Sequence, residues 1–209
     1  MSVRIRLADP ERDAARILAV YAPYVRETAV SFEMEVPPLD AFARRVAGIA
    51  AEFPYLLLEI DGELAGYAYA HRQAERAAFG WNAELSIYMD GTYCGGGLGA
   101  PLYALLERLL AMQGYVNLYA VITEGNRGSL AFHKRMGYRQ VGLHERTGWK
   151  LGAWHGVVHM HKRLMEGEPG QVVPVGALDG AAVAHLAAQT AEEIAAIWRK
   201  NGKLSSKKT

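Results

Sequence analysis

The chain has 209 residues, of which 51% are hydrophobic and 22% charged, and its formal net charge is +1. That balance excludes the basic excess typical of nucleic-acid binding, and the lack of any run of eighteen apolar residues excludes a membrane-spanning helix. Cys94 is the only cysteine, so no intramolecular disulfide is possible. Because the sequence also shows no signal-peptide pattern, we expect a soluble cytoplasmic protein without nucleic-acid or membrane partners.

The first elements are defined by helix and turn signals. In chain order, the predicted elements are a strand at 3–7, a helix from residue 10, a helix at 39–51, and two strands at 55–60 and 64–70. Asp9 and Pro10 are typical of a helix start, since Asp caps free N–H groups and Pro fits the first helical position. Asp61-Gly62 predicts a tight turn that joins the two strands into a hairpin.

The second half of the chain alternates between strand and helix patterns. The predicted elements are a strand at 83–89, a leucine-rich helix up to residue 112, a strand at 118–122, a helix at 127–136, and strands at 139–146 and 155–164. Gly137 is placed to end the short helix. The order β-α-α-β-β-β-α-β-α-β-β predicts an α/β (α+β) fold, a mixed sheet with helices on both faces.

The C-terminal part of the chain differs from the rest. Pro169 and Pro174 mark a linker, and an alanine-rich helix with an apolar stripe follows it. We therefore divide the chain into a domain at 1–164 and a segment at 165–209, which comprises the linker, the helix and a basic, fraying tail. The helix is expected to pack on its own domain or on a second subunit.

A glycine-rich segment, CGGGLG at 94–99, joins the strand at 83–89 to the leucine-rich helix. Glycines let the backbone approach a ligand closely, and a helix N-terminus offers unpaired N–H donors, so the segment favours phosphate binding. It is not a Walker loop, because Pro101-Leu102 follows where Lys-Ser/Thr would be needed. It is also a poor Rossmann motif, because it does not follow the first strand.

A second motif lies further along the chain. The segment NRGSLAFHKRMGY contains Asn126, Ser129, His133, Gly137 and Tyr138. With the element order and the glycine loop, it resembles the GNAT superfamily of acyl-CoA N-acetyltransferases, over residues 3–164. His133 stands where many members have tyrosine, and in this the chain resembles the phosphinothricin and methionine sulfoximine N-acetyltransferase branch. Three further segments resemble the same branch: VSFEMEVP, RAAFGWNAELSIY and TGWKLGAWH.

The resemblance implies a GNAT-like fold with a C-terminal helical extension, acetyl-CoA as co-substrate, no metal, and a homodimer. The chain has two large aromatic side chains, Trp149 and Trp154, of the kind enriched in interfaces. Backbone N–H groups at the end of the strand are implied to polarise the thioester carbonyl, and those of the glycine loop to hold the pyrophosphate. The implied cofactor-binding residues are Ile87, Tyr88, Met89, Gly95, Gly96, Gly97, Leu98, Gly99, Asn126 and Ser129.

Two residues are candidates for catalysis. Acetyl transfer to an ammonium group needs a base for the amine and a proton for the departing thiolate. Glu84 lies in an otherwise apolar strand, where a raised pKa suits a base. His133 stands at the position of the superfamily's tyrosine, from which it would relay a proton from the amine or give one to sulfur.

Acceptor recognition has fewer candidates. The resemblance implies Arg76 for an acidic group of the substrate, a role for which guanidinium is suited, and aromatic contacts from Phe32, Trp81 and Tyr88. A second basic residue of phosphinothricin acetyltransferases is Ala74 here, and the usual Trp-His-Asp is Trp154-His155-Gly156. Both differences weigh against phosphinothricin itself as the acceptor.

The sequence predicts an N-acetyltransferase for a small acidic amino-acid analogue of the methionine sulfoximine, methionine sulfone or phosphinothricin type. One alternative is a non-catalytic acyl-CoA-binding or assembly module, which would tolerate loss of Glu84 and His133. Another is a protein or polyamine N-acetyltransferase. His155, His159 and His161 share one strand face but do not form a recognised ligand set, so we interpret them as structural or surface residues.

Overall fold

The computed structural model describes residues 1–205 and has one mixed β-sheet with helices on both faces. The strands are β1 (Val3–Leu7), β2 (Tyr55–Ile60), β3 (Glu63–Arg72), β4 (Asn82–Met89), β5 (Asn117–Thr123), β6 (Arg139–Lys150) and β7 (Ala153–Arg163). The helices are α1 (Pro10–Glu27), α2 (Leu39–Glu52), α3 (Gly99–Gln113), α4 (Arg127–Arg135) and α5 (Gly180–Ser205). This order confirms the predicted succession of elements.

Capping and turn residues mark the starts and ends of elements where the sequence predicts them. The side chain of Asp9 accepts the N–H of Glu11 at 3.2 Å, and Pro10 begins α1. Asp61 and Gly62 form the β2–β3 turn with φ of 51° and 88°. Gly137, at φ 90°, follows α4 in the left-handed conformation that glycine adopts without strain.

The strand order in the sheet is β1-β2-β3-β4-β5-β7-β6. Neighbouring strands are antiparallel except β4 and β5, which run parallel. These two strands pair at three positions only, from Asn82↔Asn117 to Glu84↔Tyr119, whereas β4 stays paired with β3 as far as Met89. The sheet therefore divides beyond Glu84 between its fourth and fifth strands.

Two hydrophobic layers hold the helices on the sheet. Along β2, Tyr55 and Leu57 face α1 and α2, and the alternate residues Leu56 and Leu58 face the layer that includes α3 and α5. This alternation is the period-2 pattern of a strand buried on both sides. Helices on both faces were predicted, and the structure confirms them.

The β6–β7 hairpin is longer than the predicted strands at 139–146 and 155–164. Strand β6 continues to Lys150 and β7 begins at Ala153, so Leu151 and Gly152 form a two-residue turn with φ of 50° and 76°. Positive φ at both turn residues matches the twist of a hairpin, but Asn or Asp usually occupies the first position. Leucine there gave no turn signal, which is why the strands were predicted too short.

Helix α5 packs on its own chain. Leu186, Ala187, Ala191 and Ile194 are buried in the core layer that also contains α3, and α5 also lies against β1. The boundary at 164/165 stays a prediction, although α5 shares the core of the preceding residues. The predicted fraying end at 199–208 is helical through Ser205, and its last part lies outside the described residues. In the part of the chain that the structure describes, no helix is both long and apolar enough to cross a bilayer.

Candidate active site

A cleft opens where β4 and β5 separate. It has a volume of about 60 Å³. Its walls are formed by Val30, Leu85, Ser86, Ile87, Tyr88, Ala120, Val121, Ile122, Thr123, Asn126, Ser129 and His133. Because the parallel pairing ends at Glu84↔Tyr119, the β4 backbone groups that point towards β5 beyond this pair have no strand partner. The cleft thus offers an edge of backbone donors and acceptors in the middle of a sheet.

The glycine loop lies at the end of this edge. Gly95 and Gly97 have φ of 76° and 78°, a conformation that side chains disfavour. Among the described residues no side chain caps α3 at Leu98, so its first N–H groups are available to a ligand. A Cβ on Gly99 would lie 3.2 Å from Ile87 Cδ1, so the start of α3 directly adjoins β4. Loop and strand edge together fit an extended ligand that carries phosphate.

His133 is buried on α4 with both ring nitrogens engaged. Nδ1 lies 2.9 Å from the carbonyl oxygen of Ser129, and Nε2 lies 3.0 Å from the hydroxyl oxygen of Tyr103. A carbonyl only accepts, so in the neutral ring Nδ1 carries the proton and Nε2 accepts from Tyr103. Burial lowers the pKa of His133, and the bond to Ser129 opposes this effect in part. At neutral pH the ring is therefore a neutral acceptor at Nε2.

Glu84 occupies the last paired position of β4, where the cleft begins. It lies on the sheet face of Ser86 and Tyr88, whereas His133 packs with Tyr103 on the opposite face. Burial raises the pKa of Glu84, while His71, whose Nε2 lies 3.7 Å from Oε1, favours the charged form. The structure does not bring Glu84 and His133 into contact, and the cleft between the strands opens towards both faces.

The predicted acceptor contacts fall into two groups. Tyr88 lines the cleft and packs edge-on against Tyr21 and Tyr24 at centroid distances of 5.1 and 5.2 Å. Phe32 is 37% exposed and its ring lies 6.3 Å from that of His155. Both residues therefore belong to the α1–α2 side of the site.

Arg76 and Trp81 lie elsewhere in this chain. The indole N–H of Trp81 donates to the carbonyl of Gly170 at 2.6 Å, at the start of β4. Tyr88 follows seven residues later, which is about 23 Å along an extended strand. Arg76 is exposed on the loop that precedes β4. Within one chain, Arg76 and Trp81 therefore do not lie together with Phe32 and Tyr88. Their contact with the acceptor stays a prediction.

Asn126 and Ser129 line the cleft, and each also has a structural bond. Asn126 Oδ1 accepts the N–H of Ser129 at 3.1 Å and so caps α4. The Ser129 carbonyl orients His133. These two residues therefore fix the start of α4 and the ring of His133 relative to the cleft.

Three residues of the site were not predicted. Tyr103 is fully buried on α3 and bonds His133. Lys150 is 3% exposed and donates to the Ser31 carbonyl at 2.5 Å, which anchors the α1–α2 connection to β6. Glu124 extends its carboxylate over Gly156, where a Cβ would overlap Oε2. The resemblance expects aspartate at position 156, where this chain has glycine. The carboxylate of Glu124 lies beside this position instead.

The three predicted structural histidines have polar or aromatic neighbours. His155 Nε2 lies 3.0 Å from the Lys150 carbonyl, and His161 Nε2 lies 3.1 Å from Asn117 Oδ1. The ring of His159 lies 4.6 Å from that of His144. Within the described residues no group of three or more His, Cys, Asp or Glu side chains is arranged to hold a metal ion.

Comparison with known proteins agrees with this geometry. Residues 5–158 match the acetyltransferase (GNAT) domain family, which is more than half of the chain. A phosphinothricin N-acetyltransferase of Alcaligenes faecalis is 37% identical over 161 residues, 75% of this chain and 80% of that protein. An L-methionine sulfoximine/L-methionine sulfone acetyltransferase of Pseudomonas paraeruginosa is 33% identical over 170 residues, 78% of this chain and 96% of that protein.

A solved structure is similar over most of its length. The phosphinothricin acetyltransferase of Sinorhizobium meliloti, crystallised in complex with AcCoA, superposes with a TM-score of 0.77 at 29% identity. The match covers 83% of this chain and 96% of that chain.

Proposed function

The chain belongs to the GNAT family of acetyltransferases and is an acetyl-CoA-dependent N-acetyltransferase; from this premise we propose that its acceptor is the amino group of a small acidic amino-acid analogue. Methionine sulfoximine, methionine sulfone and phosphinothricin are the acceptors we infer. The observation that carries the proposal is the cleft between β4 and β5, whose β4 edge adjoins the end of the glycine loop where Ile87 approaches Gly99. The names of the two relatives support this acceptor class.

The backbone is suited to the acyl donor. Strand β4 has lost its β5 partner at Ile87 to Met89 but is still paired with β3 there, so the N–H groups that point away from β3 would donate to the thioester carbonyl as negative charge develops on it. The uncapped start of α3 and the N–H groups of Gly95 to Gly99 would hold the pyrophosphate. The main chain thus supplies donors where the loop side chains supply none.

Glu84 is the base in this proposal. The carboxylate would take a proton from the acceptor ammonium, and the neutral amine would then attack the thioester carbon. Burial raises the pKa of Glu84, which brings this carboxyl group closer to the operating pH of a general base. Its position at the last residue of β4 that pairs with β5 supports this role, because the reacting carbonyl would bind in the cleft that opens beside it.

His133 and Tyr103 would handle the second proton. As the C–S bond breaks, the thiolate needs a proton, and His133 lines the cleft where sulfur would lie. In the hydrogen bond between these two side chains the proton belongs to the Tyr103 hydroxyl, which donates to Nε2 of His133. We infer that the proton lost by the attacking nitrogen reaches the thiolate through the His133–Tyr103 pair, so that both side chains are neutral again when CoA leaves.

We further propose a cytoplasmic homodimer. Trp149, Leu151 and Trp154 are 53%, 59% and 50% exposed around the β6–β7 turn, and the two indoles stack edge-on at 5.5 Å. An exposed apolar cluster of this kind, at the turn of the hairpin that ends the sheet, supports a contact with a second copy. The exposed thiol of Cys94 is compatible with a reducing compartment.

A turnover screen tests the acceptor class. Purified protein with acetyl-CoA is offered methionine sulfoximine, methionine sulfone, phosphinothricin and polyamines, and released CoA thiol is measured. We expect at least tenfold higher kcat/KM for an acidic analogue than for any polyamine. Arg76→Gln should raise KM for the acidic acceptor and leave KM for acetyl-CoA unchanged, because guanidinium pairs with the acidic group.

The matched control is Arg108→Gln, at an exposed position of α3. It should leave both constants unchanged. Preferential turnover of polyamines would contradict the acceptor class, and an Arg76→Gln variant with unchanged KM for the acidic analogue would remove Arg76 from the site.

A further inference from the structure

The end of helix α5 contacts the glycine loop. Asn201 Nδ2 donates to the carbonyl oxygen of Gly96 at 2.7 Å, across 105 positions of sequence. The Trp198 ring lies 5.3 Å from the Tyr93 ring, immediately before the loop. A Cβ on Gly97 would lie 3.7 Å from Ile197 Cγ2, so the loop rests against α5 at van der Waals distance.

The bond from Asn201 fixes the orientation of one peptide group. No peptide bond among the described residues is cis. In a trans peptide the C=O and the following N–H point in opposite directions. Since the Gly96 carbonyl points towards Asn201, the N–H of Gly97 points away from α5. The flanking glycines, Gly95 and Gly97, have positive φ and tolerate other orientations, so something outside the loop must select this one.

The orientation of the Gly96–Gly97 peptide affects the binding of an anion by the loop. A phosphate accepts hydrogen bonds from N–H groups and is repelled by carbonyl oxygens. No residue from Cys94 to Gly99 has a basic or amide side chain, and the superfamily's usual Gln or Arg is Cys94 here. The orientation of the backbone therefore determines how strongly this loop binds phosphate.

We propose that Asn201 is a positioning residue that holds the Gly96–Gly97 peptide with its N–H towards the pyrophosphate of acetyl-CoA, supported by Trp198 and Ile197. This inference rests on the proposed use of the loop for the pyrophosphate. Helix α5 lies outside residues 5–158, which match the family. The C-terminal segment is thus part of the donor site of this chain.

Two variants and two acyl donors test the role. Asn201→Ala removes the donor, and Asn201→Asp replaces it with a carboxylate of nearly the same size that repels both carbonyl and phosphate. We expect Asn201→Ala to raise KM for acetyl-CoA about fivefold without changing kcat, as loss of one hydrogen bond implies, and Asn201→Asp to raise it further. With S-acetylpantetheine, which has the thioester but no pyrophosphate, kcat/KM should not change.

Gln189→Ala, an amide removed from the exposed face of the same helix, is the control and should behave as wild type with both donors. Unchanged KM for acetyl-CoA in both Asn201 variants, or an equal loss with S-acetylpantetheine, would overturn the proposal. If the wild type turns over neither donor, the function proposed above has failed. Calorimetry of CoA and pantetheine binding then decides separately whether Asn201 acts on the pyrophosphate.

Discussion

The hydroxyl of Tyr103 donates to Nε2 of His133 at 3.0 Å, and the two side chains are 0% and 3% exposed. Nδ1 of the same ring is held by the Ser129 carbonyl at 2.9 Å. The imidazole thus has a fixed tautomer and a fixed orientation in the wall of the cleft. A proton moved at this position belongs to the pair of residues rather than to the histidine alone.

Removal of the Tyr103 hydroxyl should expose this dependence. Tyr103→Phe leaves Nε2 buried without a partner, so we expect a loss of about 1–3 kcal/mol in the free energy of unfolding and a lower kcat. Urea denaturation and steady-state kinetics measure the two effects. Tyr115→Phe, at a buried tyrosine stacked on Phe53 at 5.3 Å, is the control and should change stability by about 0.5 kcal/mol or less. Wild-type stability and kcat in Tyr103→Phe would contradict the pairing.

Glu84→Gln should separate chemistry from binding. The neutral amide is close in size, so acetyl-CoA binding should persist while kcat/KM falls by ~10²- to 10⁴-fold. The raised pKa of Glu84 predicts a rising limb of kcat/KM with pH above the usual glutamate range, because the carboxylate must ionise to act as a base. That limb should be absent in the variant and present in Glu63→Gln, an exposed position on β3. Full activity of Glu84→Gln would refute the base assignment.

His133 should make stability sensitive to acid. Burial lowers the folded pKa of His133 below the ordinary histidine value of 6.5, so the unfolded chain binds a proton first as the pH falls. The free energy of unfolding should therefore decrease as the pH falls through 6.5 towards the folded pKa. In His133→Gln this decrease, measured by denaturation between pH 7.5 and 5.5, should be smaller. An identical pH dependence in both proteins would show that the ring titrates as in the unfolded chain.

Acetyl-CoA should raise the melting temperature of the protein. A ligand that binds only the folded state stabilises it by mass action, by about 2.7 kcal/mol at one hundred times its Kd. NAD and ATP should produce no shift, because the loop lacks the Rossmann and Walker context. Thermal denaturation with each ligand measures this, and a shift with NAD or ATP alone would contradict our interpretation of the loop.

The exposed indoles should hold two copies together. We expect sedimentation at micromolar concentration to give twice the chain mass of 22.9 kDa. Replacing both Trp149 and Trp154 with Ser should shift the protein towards the monomer. Replacing Met34, which is 67% exposed on the α1–α2 connection, should not. A wild-type species of about 23 kDa alone would rule the dimer out.

Sequence predicted the parts of this protein that local rules govern. Asp9, Asp61-Gly62 and Gly137 act through their own backbone neighbours, so their effects were visible in the order of residues. The helix and strand periodicities likewise predicted both faces of the sheet. The family motifs brought Glu84, His133 and the glycine loop into consideration as one site.

The remaining features depend on contacts between distant residues. Tyr103 is 30 positions from His133, and Asn201 is 105 positions from Gly96. Periodicity assigned Tyr103 to a helix face without indicating its partner, and composition predicted a basic, fraying tail at residues 199–208. The place of Trp81 also depends on a distant residue, since the linker carbonyl of Gly170 engages its indole. Such pairings are determined by the packing of the whole chain.

The short parallel pairing of β4 with β5 also has a mechanical consequence. Strands β1 to β4 form one half-sheet and β5 to β7 another, and three residue pairs at one end join them. Backbone pairing at one end only constrains the separation of the two strands least at the far end of the cleft, near Asn126, and most at its closed end, near Asn82. A bound molecule that bridges both edges would restrict this separation. Amide exchange along residues 85–89 should slow accordingly.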